Sequence, residues 1–447
     1  MAKVQRTQDS VPQPKKEKKR RSLTFATVAQ TCYLTTKFYL RNRLLSYASA
    51  CSFGFLFSFI PVFMMILVIL IRFLHASPET VSFLLSLMPQ IETFVNSDSI
   101  INSILSVQKI GLFEIILGIS IFWMARRFFA SMMDSLQCIF HTEHERKPWF
   151  NQIITLTIEV TIVIIVAVVI SLFMSIKTAL GMPFLDQLFS SIPGLRKALS
   201  SRLVSQLPNL LILLLITVIY KTEPGTKPPA LLCFLSAAGC TFVFWIVRLI
   251  MHAFINMATY NLIYGVLGRL IVLLLEVFIF FMLFLVFAQF IFVYQFFDEL
   301  LLGELYTLPK KDSTGTVSLL RRSLFIQPDY LLAKDTNALH LKKGDVIFIP
   351  ADTGTDAYYV ARGTIQEKKK DSSVLYDKGD FFGELSCILS KPHDGTATAL
   401  TNAEIVRIDG DTFRLLTTQN PEVARKALGQ ISTYFTKVYG RTDGFLL

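Results

Sequence analysis

The chain has 447 residues, 52% apolar, 13% aromatic and only 17% charged, with a mean hydropathy of +0.51. Soluble domains carry about 25% charged residues, so this balance excludes a disordered chain, a collagen-like fibre and a small disulfide scaffold, and argues against an ordinary cytosolic enzyme. The net charge of +11 is concentrated: residues 1–43 hold 11 Lys/Arg against 2 Asp/Glu, while the rest of the chain is nearly balanced. A basic surface spread over a folded domain, as nucleic acid would require, is therefore not expected.

Residues 1–21, through Lys15-Lys16-Glu17-Lys18-Lys19-Arg20-Arg21, read as a disordered basic tail. Residues 22–45 mix Phe25, Val28, Leu34, Phe38 and Leu45 with Lys37, Arg41 and Arg43, which predicts an amphipathic helix lying at a membrane interface. Apolar runs follow at Ser46–Ile71, Ile110–Ala125, Ile153–Ile176, Leu203–Tyr220, Ala230–Met251 and Leu267–Phe297. A spanning helix needs roughly 17–25 residues; four runs meet that easily and two are marginal, giving six spans over residues 46–297. The basic tail, the 126–152 loop with Arg126, Arg127, Arg146 and Lys147, and the region after 297 would share one side. By the positive-inside rule that side is cytoplasmic, so both termini are expected there.

Beyond Glu299 the composition changes. Residues 298–317 read as a linker and 318–333 as a short amphipathic helix. From Leu339 onward, short apolar alternations are split by turns such as Lys343-Gly344-Asp345, Asp352-Thr353-Gly354, Arg362-Gly363 and Lys378-Gly379-Asp380. That spacing predicts an antiparallel β sandwich or roll within an α+β domain over 318–440, closed by a helix at 421–438 that starts at Pro421. The six cysteines form no CxxC and read as free thiols.

Leu45-Ser46-Tyr47-Ala48-Ser49-Ala50, then Ser58-Phe59-Ile60-Pro61, Ser135-Leu136-Gln137-Cys138-Ile139-Phe140 and Tyr260-Asn261-Leu262-Ile263-Tyr264-Gly265 occur in order. This set resembles the YihY/BrkB family of bacterial inner-membrane proteins over about residues 35–297, with Gln137 and Phe140 where the family commonly has Asn and Trp. The resemblance implies a six-helix bundle that transports or lets pass a lipid-related or small solute. It also carries an old ribonuclease label, which the residues oppose. A metal-dependent nuclease needs His and carboxylates converging on metal ions, whereas the six His are scattered and His141-Thr142-Glu143-His144-Glu145 lacks helical zincin spacing. No metal site, catalytic residue or enzymatic activity is expected.

Glu159 and Glu276 fall inside predicted spans, where a charge normally faces the bundle interior, a partner or water. They either line a polar path or make protonated interhelical hydrogen bonds. Pro61, Gly265 and Gly268, beside Tyr260 and Asn261, either open the backbone at a transport path or permit close helix packing.

Leu341-Lys342-Lys343-Gly344-Asp345-Val346-Ile347, Tyr358-Tyr359-Val360-Ala361-Arg362-Gly363 and Gly379-Asp380-Phe381-Phe382-Gly383-Glu384-Leu385-Ser386 resemble the opening strand, the next hairpin and the phosphate cassette of a cyclic-nucleotide-binding domain. The resemblance implies a cassette at Gly383, Glu384, Leu385 and Ser386, with Glu384 accepting a ribose hydroxyl and an Arg nine residues later forking to the phosphate. His393 stands there instead, followed by Asp394. Without that Arg no cofactor is expected, with a cyclic nucleotide kept only as the disfavoured alternative. The ligand alternatives are one lacking phosphate, or none, with the β-roll serving protein contact. The expected partners are membrane lipids, with anionic headgroups at the basic tail, and a second copy of the chain. Three functions remain open: transport modulated by the C-terminal domain, a non-transporting scaffold, and a cyclic-nucleotide-regulated channel.

Overall fold

The computed structural model describes residues 25–68, 128–141, 204–222, 226–254, 257–309, 315–326, 331, 338–350, 356–369 and 372–439. Two compact units emerge, Cys32–Phe296 and Phe297–Leu447, the latter grouped with Met1–Thr31.

The first unit is helical. Its described elements are the part of α1 (Phe25–Arg41) from Cys32 onward, α2 (Leu44–Val68), α3 (Phe128–Phe140), α4 (Val204–Thr222), α5 (Ala230–Phe254) and α6 (Met257–Gln295). The single helix expected over 22–45 ends at Arg41, because Arg43 takes a left-handed φ of 51° and turns the chain before α2. Leu45 therefore belongs to α2. Among the described residues two stretches are long and apolar enough to cross a membrane, Ala230–Met251 (22 residues) and Ile271–Gln295 (25 residues). At about 1.5 Å per residue each exceeds the roughly 30 Å hydrocarbon core. The expected spans Ile110–Ala125 and Ile153–Ile176 lie outside the described residues.

Lipid-compatible packing explains the composition. On α5, Leu231, Phe234, Leu235, Phe242, Trp245 and Leu249 face outward. Inside, Phe55, Phe128 and Phe281 meet at centroid distances of 5.5–6.0 Å. Gly239 admits the Phe287 ring, which a Cβ would meet at 2.7 Å. Tyr220 is fully buried and donates its hydroxyl to the Phe284 carbonyl at 2.7 Å.

The second unit begins where the linker was expected. Residues Phe297–Tyr306 form helix α7, with Leu301, Leu302, Leu305 and Tyr306 buried, and Thr316–Phe325 form α8. The 298–317 linker reading is thus corrected: burial of the apolar side of α7 overrides the turn-forming composition that follows it. Eight strands then form two antiparallel sheets, ordered β1-β8-β3-β6 and β2-β7-β4-β5. They are β1 (Ala338–Leu341), β2 (Val346–Phe348), β3 (Ala357–Arg362), β4 (Ile365–Lys369), β5 (Ser372–Tyr376), β6 (Phe381–Phe382), β7 (Thr396–Ala399) and β8 (Ala403–Ile408). The segment 341–347, read as one opening strand, is instead the end of β1, a turn at Gly344 and the start of β2. Phe348, Tyr358, Val360, Ile365, Phe382 and Ile405 fill the core. Gly363 turns the chain from β3 in one sheet to β4 in the other at φ 84°, where a Cβ would meet the Asn402 carbonyl at 2.6 Å, so the segment read as a hairpin is a crossover between sheets. Three helices complete the unit: α9 (Glu384–Leu389), α10 (Gly410–Gln419) and α11 (Pro421–Tyr439).

Candidate functional site

The cassette lies between β6 and β7. Gly383 turns the chain at φ 75°, a left-handed conformation that glycine adopts without a steric penalty, and starts α9. Gly383, Glu384, Leu385 and Ser386 line a shallow cleft with a cavity volume of about 50 Å³. Glu367, Lys369 and Tyr376 from the β4–β5 hairpin, Asp394 and Lys391 from the segment before β7, and Tyr434 from α11 complete the principal lining.

Two carboxyls sit deep in it. Glu384 is 9% exposed and accepts from Gln430 Nε2 of α11 at 2.9 Å. Burial raises its carboxyl from 4.5 to about 7, against the smaller opposing pulls of its own backbone hydrogen bond, Lys426 and Gln430. Glu367 is 5% exposed; Tyr376 donates to its Oε2 at 2.8 Å, and Lys369 Nζ stands 3.2 Å from Oε1. The Tyr376 hydroxyl is held well above its ordinary range by burial first and the Glu367 charge second. Gln430 also joins the pocket to α7, its Oε1 accepting from Tyr306 at 2.5 Å.

Asp394 reaches the pocket, but His393 does not. The His393 ring is 4% exposed and lies flat on Phe348, 3.7 Å between centroids and 10° between planes. The position nine residues after Glu384 thus holds a buried side chain packed on Phe348, with its Cε1 beside Gly383 of the cassette. Glu367, Tyr376, Tyr434 and Gln430 were not foreseen. None of the four carried a sequence signal; Glu367 is buried because it shares the inward face of β4 with Ile365.

In the helical unit, Glu276 is 9% exposed, with Arg248 Nε 3.8 Å from its Oε1. Glu159 lies outside the described residues. Pro61 falls within α2, and Tyr260, Asn261 and Gly265 fall early in α6; their side chains lie outside the described residues. Both helices run continuously through Pro61, Gly265 and Gly268, in keeping with the packing alternative. Sequence reading also missed Gln289, fully buried on α6 with neither amide atom hydrogen-bonded. Among the described residues no group of three or more His, Cys, Asp or Glu could hold a metal ion.

Residues 35–299 match the model of a family described as Virulence factor BrkB, and residues 338–420 match that of the cyclic nucleotide-binding domain. A cyclic nucleotide-gated potassium channel of Rhizobium etli is 27% identical over 81 residues, 18% of this chain and 23% of that protein. A cAMP-dependent protein kinase regulatory subunit of Hypocrea atroviridis is 32% identical over 91 residues, 20% of each chain. This chain thus spans less than a quarter of the length of these curated relatives. Among solved structures, the catabolite activator protein of Thermus thermophilus is similar over 24% of this chain and 53% of that one, at 20% identity and a TM-score of 0.22.

Proposed function

Because the chain belongs to the Virulence factor BrkB family, we propose that its helical unit is a six-span, multi-pass bundle of the bacterial inner membrane that transports or lets pass a lipid-related or small solute. In this reading both termini are cytoplasmic, the C-terminal unit modulates passage, and no enzymatic turnover is involved. The observation that carries it is polar chemistry held inside an apolar bundle. Glu276 is buried on α6 beside Arg248, and Gln289 is buried on the same helix without a hydrogen-bond partner among the described residues. Such groups are costly in a membrane interior and mark solute or proton paths.

The test is a flux screen in liposomes holding the full chain, with lipid-precursor analogues and small solutes. Flux above protein-free vesicles is expected, falling severalfold on Glu276→Gln. No flux for any solute, with protein correctly inserted, overturns the reading in favour of a scaffold. A second reading, a channel regulated through its C-terminal unit, is supported by the Rhizobium etli relative named as a cyclic nucleotide-gated potassium channel. Single-channel conductance steps in planar bilayers would favour it over slow carrier flux.

A further inference from the structure

We propose that α1 is a docking face for an anionic bilayer leaflet, seating Phe25, Val28, Cys32 and Leu40 among acyl chains and Lys37, Arg41 and Arg43 among headgroups. The proposal rests on the reading of the helical unit as membrane-embedded, and adds the class of lipid that α1 recognises.

The helix is built the wrong way round for water. Its five exposed residues are Phe25, Val28, Cys32, Thr36 and Leu40, spaced three or four apart and therefore on one side of the helix. Phe25 is 88% exposed and Leu40 68%. On the other side, Thr27, Gln30, Thr31 and Thr35 are buried together with Leu34 and Phe38. A helix on the surface of a soluble domain shows the opposite arrangement. The buried polar side has partners: Gln30 Nε2 donates to the Leu324 carbonyl of α8 at 2.9 Å, and Thr31 to the Thr27 carbonyl at 2.7 Å. Thr36 is the polar member of the exposed stripe, and its hydroxyl turns back on the Cys32 carbonyl at 3.0 Å. The stripe therefore shows carbon and sulfur to its surroundings, with its hydroxyl proton already committed, as a lipid contact requires.

Charge names the occupant. Residues 22–43 hold three cations, Lys37, Arg41 and Arg43, and no acid. In sequence they follow the basic run Lys15–Arg21 and precede α2, which starts at Leu44 and exposes Leu45, Phe53 and Phe57. A second copy of the chain would bring the same cations to the same stripe and be repelled. A leaflet of negative phospholipid meets both the apolar stripe and the charge beside it.

The experiment places a polarity-sensitive fluorophore on the exposed Cys32 of the full chain, with Cys138→Ser removing the half-buried thiol; the other four cysteines are buried. The protein is held in nanodiscs of phosphatidylcholine alone or with about 30% phosphatidylglycerol. Quenching by doxyl-labelled lipid is expected to be about threefold or more stronger in the anionic discs, where iodide in the water should not quench. Lys37→Gln with Arg43→Gln should remove this lipid dependence, each lost cation weakening docking about fivefold. Val28→Asp should abolish quenching by lipid, with a melting curve to confirm that each variant folds. Quenching by iodide alone in anionic discs overturns the proposal, and equal lipid quenching in both discs overturns its charge selectivity. Protection from both quenchers assigns the stripe to a protein surface, a second copy included, and also overturns it. A second label, on Phe242→Cys of α5 in a Cys32→Ser chain, reports insertion of the span Ala230–Met251 itself. Lipid quenching there but not at Cys32 sinks the docking alone; quenching at neither position sinks the membrane reading.

Discussion

The two units differ in how far their side-chain hydrogen bonds typically reach. In the helical unit, hydroxyls turn back on their own helix: Ser52 to the Ala48 carbonyl, Ser135 to Met132, Thr217 to Leu213 and Thr241 to Ala237. In the C-terminal unit the bonds reach across the fold: Arg407 to Asp356, Gln430 to Glu384, Tyr359 to the Ile326 carbonyl. The difference follows from the solvent each sequence is built for. Lipid offers no hydrogen bonds, so a polar group that finds its partner within one helical turn is safe however the helices pack. A soluble core can place donor and acceptor on distant strands, because water satisfies both until folding joins them. Polarity among the described residues of the bundle is thus mostly local, with Tyr220 on the Phe284 carbonyl an exception, whereas the C-terminal unit adds to its own helix back-bonds, such as Thr433 to Gly429, long-range bonds that help to specify the fold.

The contrast is tested hardest at a non-local pair. Arg321 of α8 donates to the buried Glu304 of α7 at 2.7 Å and to Thr307 at 2.6 Å. Arg321→Leu leaves Glu304 buried without that cation and should destabilise the C-terminal unit by about 3–5 kcal/mol. Denaturant-dependent hydrogen exchange of β3 and β8 in the full chain reads this directly, and a loss near zero would show that the long-range pairing is decorative. A comparably large effect attaches to pH. The folded unit keeps a proton on Glu384 between pH 4.5 and about 7 that the unfolded chain has released. Stability therefore falls as pH rises through that window, by about 3 kcal/mol in total at 1.36 kcal/mol per unit. Glu384→Gln should flatten this slope and leave the unit more stable at pH 8; an unchanged slope would assign the proton elsewhere.

Legibility in the sequence divides along the same line. Features fixed by neighbouring residues were readable: the turns at Gly344, Gly363 and Gly379, all of which take positive φ, and the long apolar run over Ala230–Met251. Features fixed by distant partners were not. Helix α7 was taken for linker because what anchors it is the edge-to-face packing of Tyr306 on Phe381 and Phe413, at 5.2 and 5.1 Å. Glu367 sits in a Lys-rich strand that reads as solvated; it is buried because Tyr376 across the hairpin supplies a donor. The spacing of His393 from Glu384 was correct in number, yet spacing says nothing about direction, and the pull of Phe348 turned the ring into the core.

The smallest expected effect probes the exception in the helical unit. Among the described residues Gln289 has no hydrogen-bond partner, although it is fully buried. Leaving a buried donor and acceptor unsatisfied costs about 1–3 kcal/mol per group, and Leu fills a similar volume without either. If Gln289 serves packing alone, Gln289→Leu should raise thermal stability by about 1 kcal/mol or more and leave liposome flux unchanged. If it serves the path, the same variant should gain stability and lose flux together, because a polar group kept against its folding cost is one the solute uses. Unchanged stability with unchanged flux would show that Gln289 finds a partner in the membrane, and the rule of local satisfaction would then hold at this position by another route.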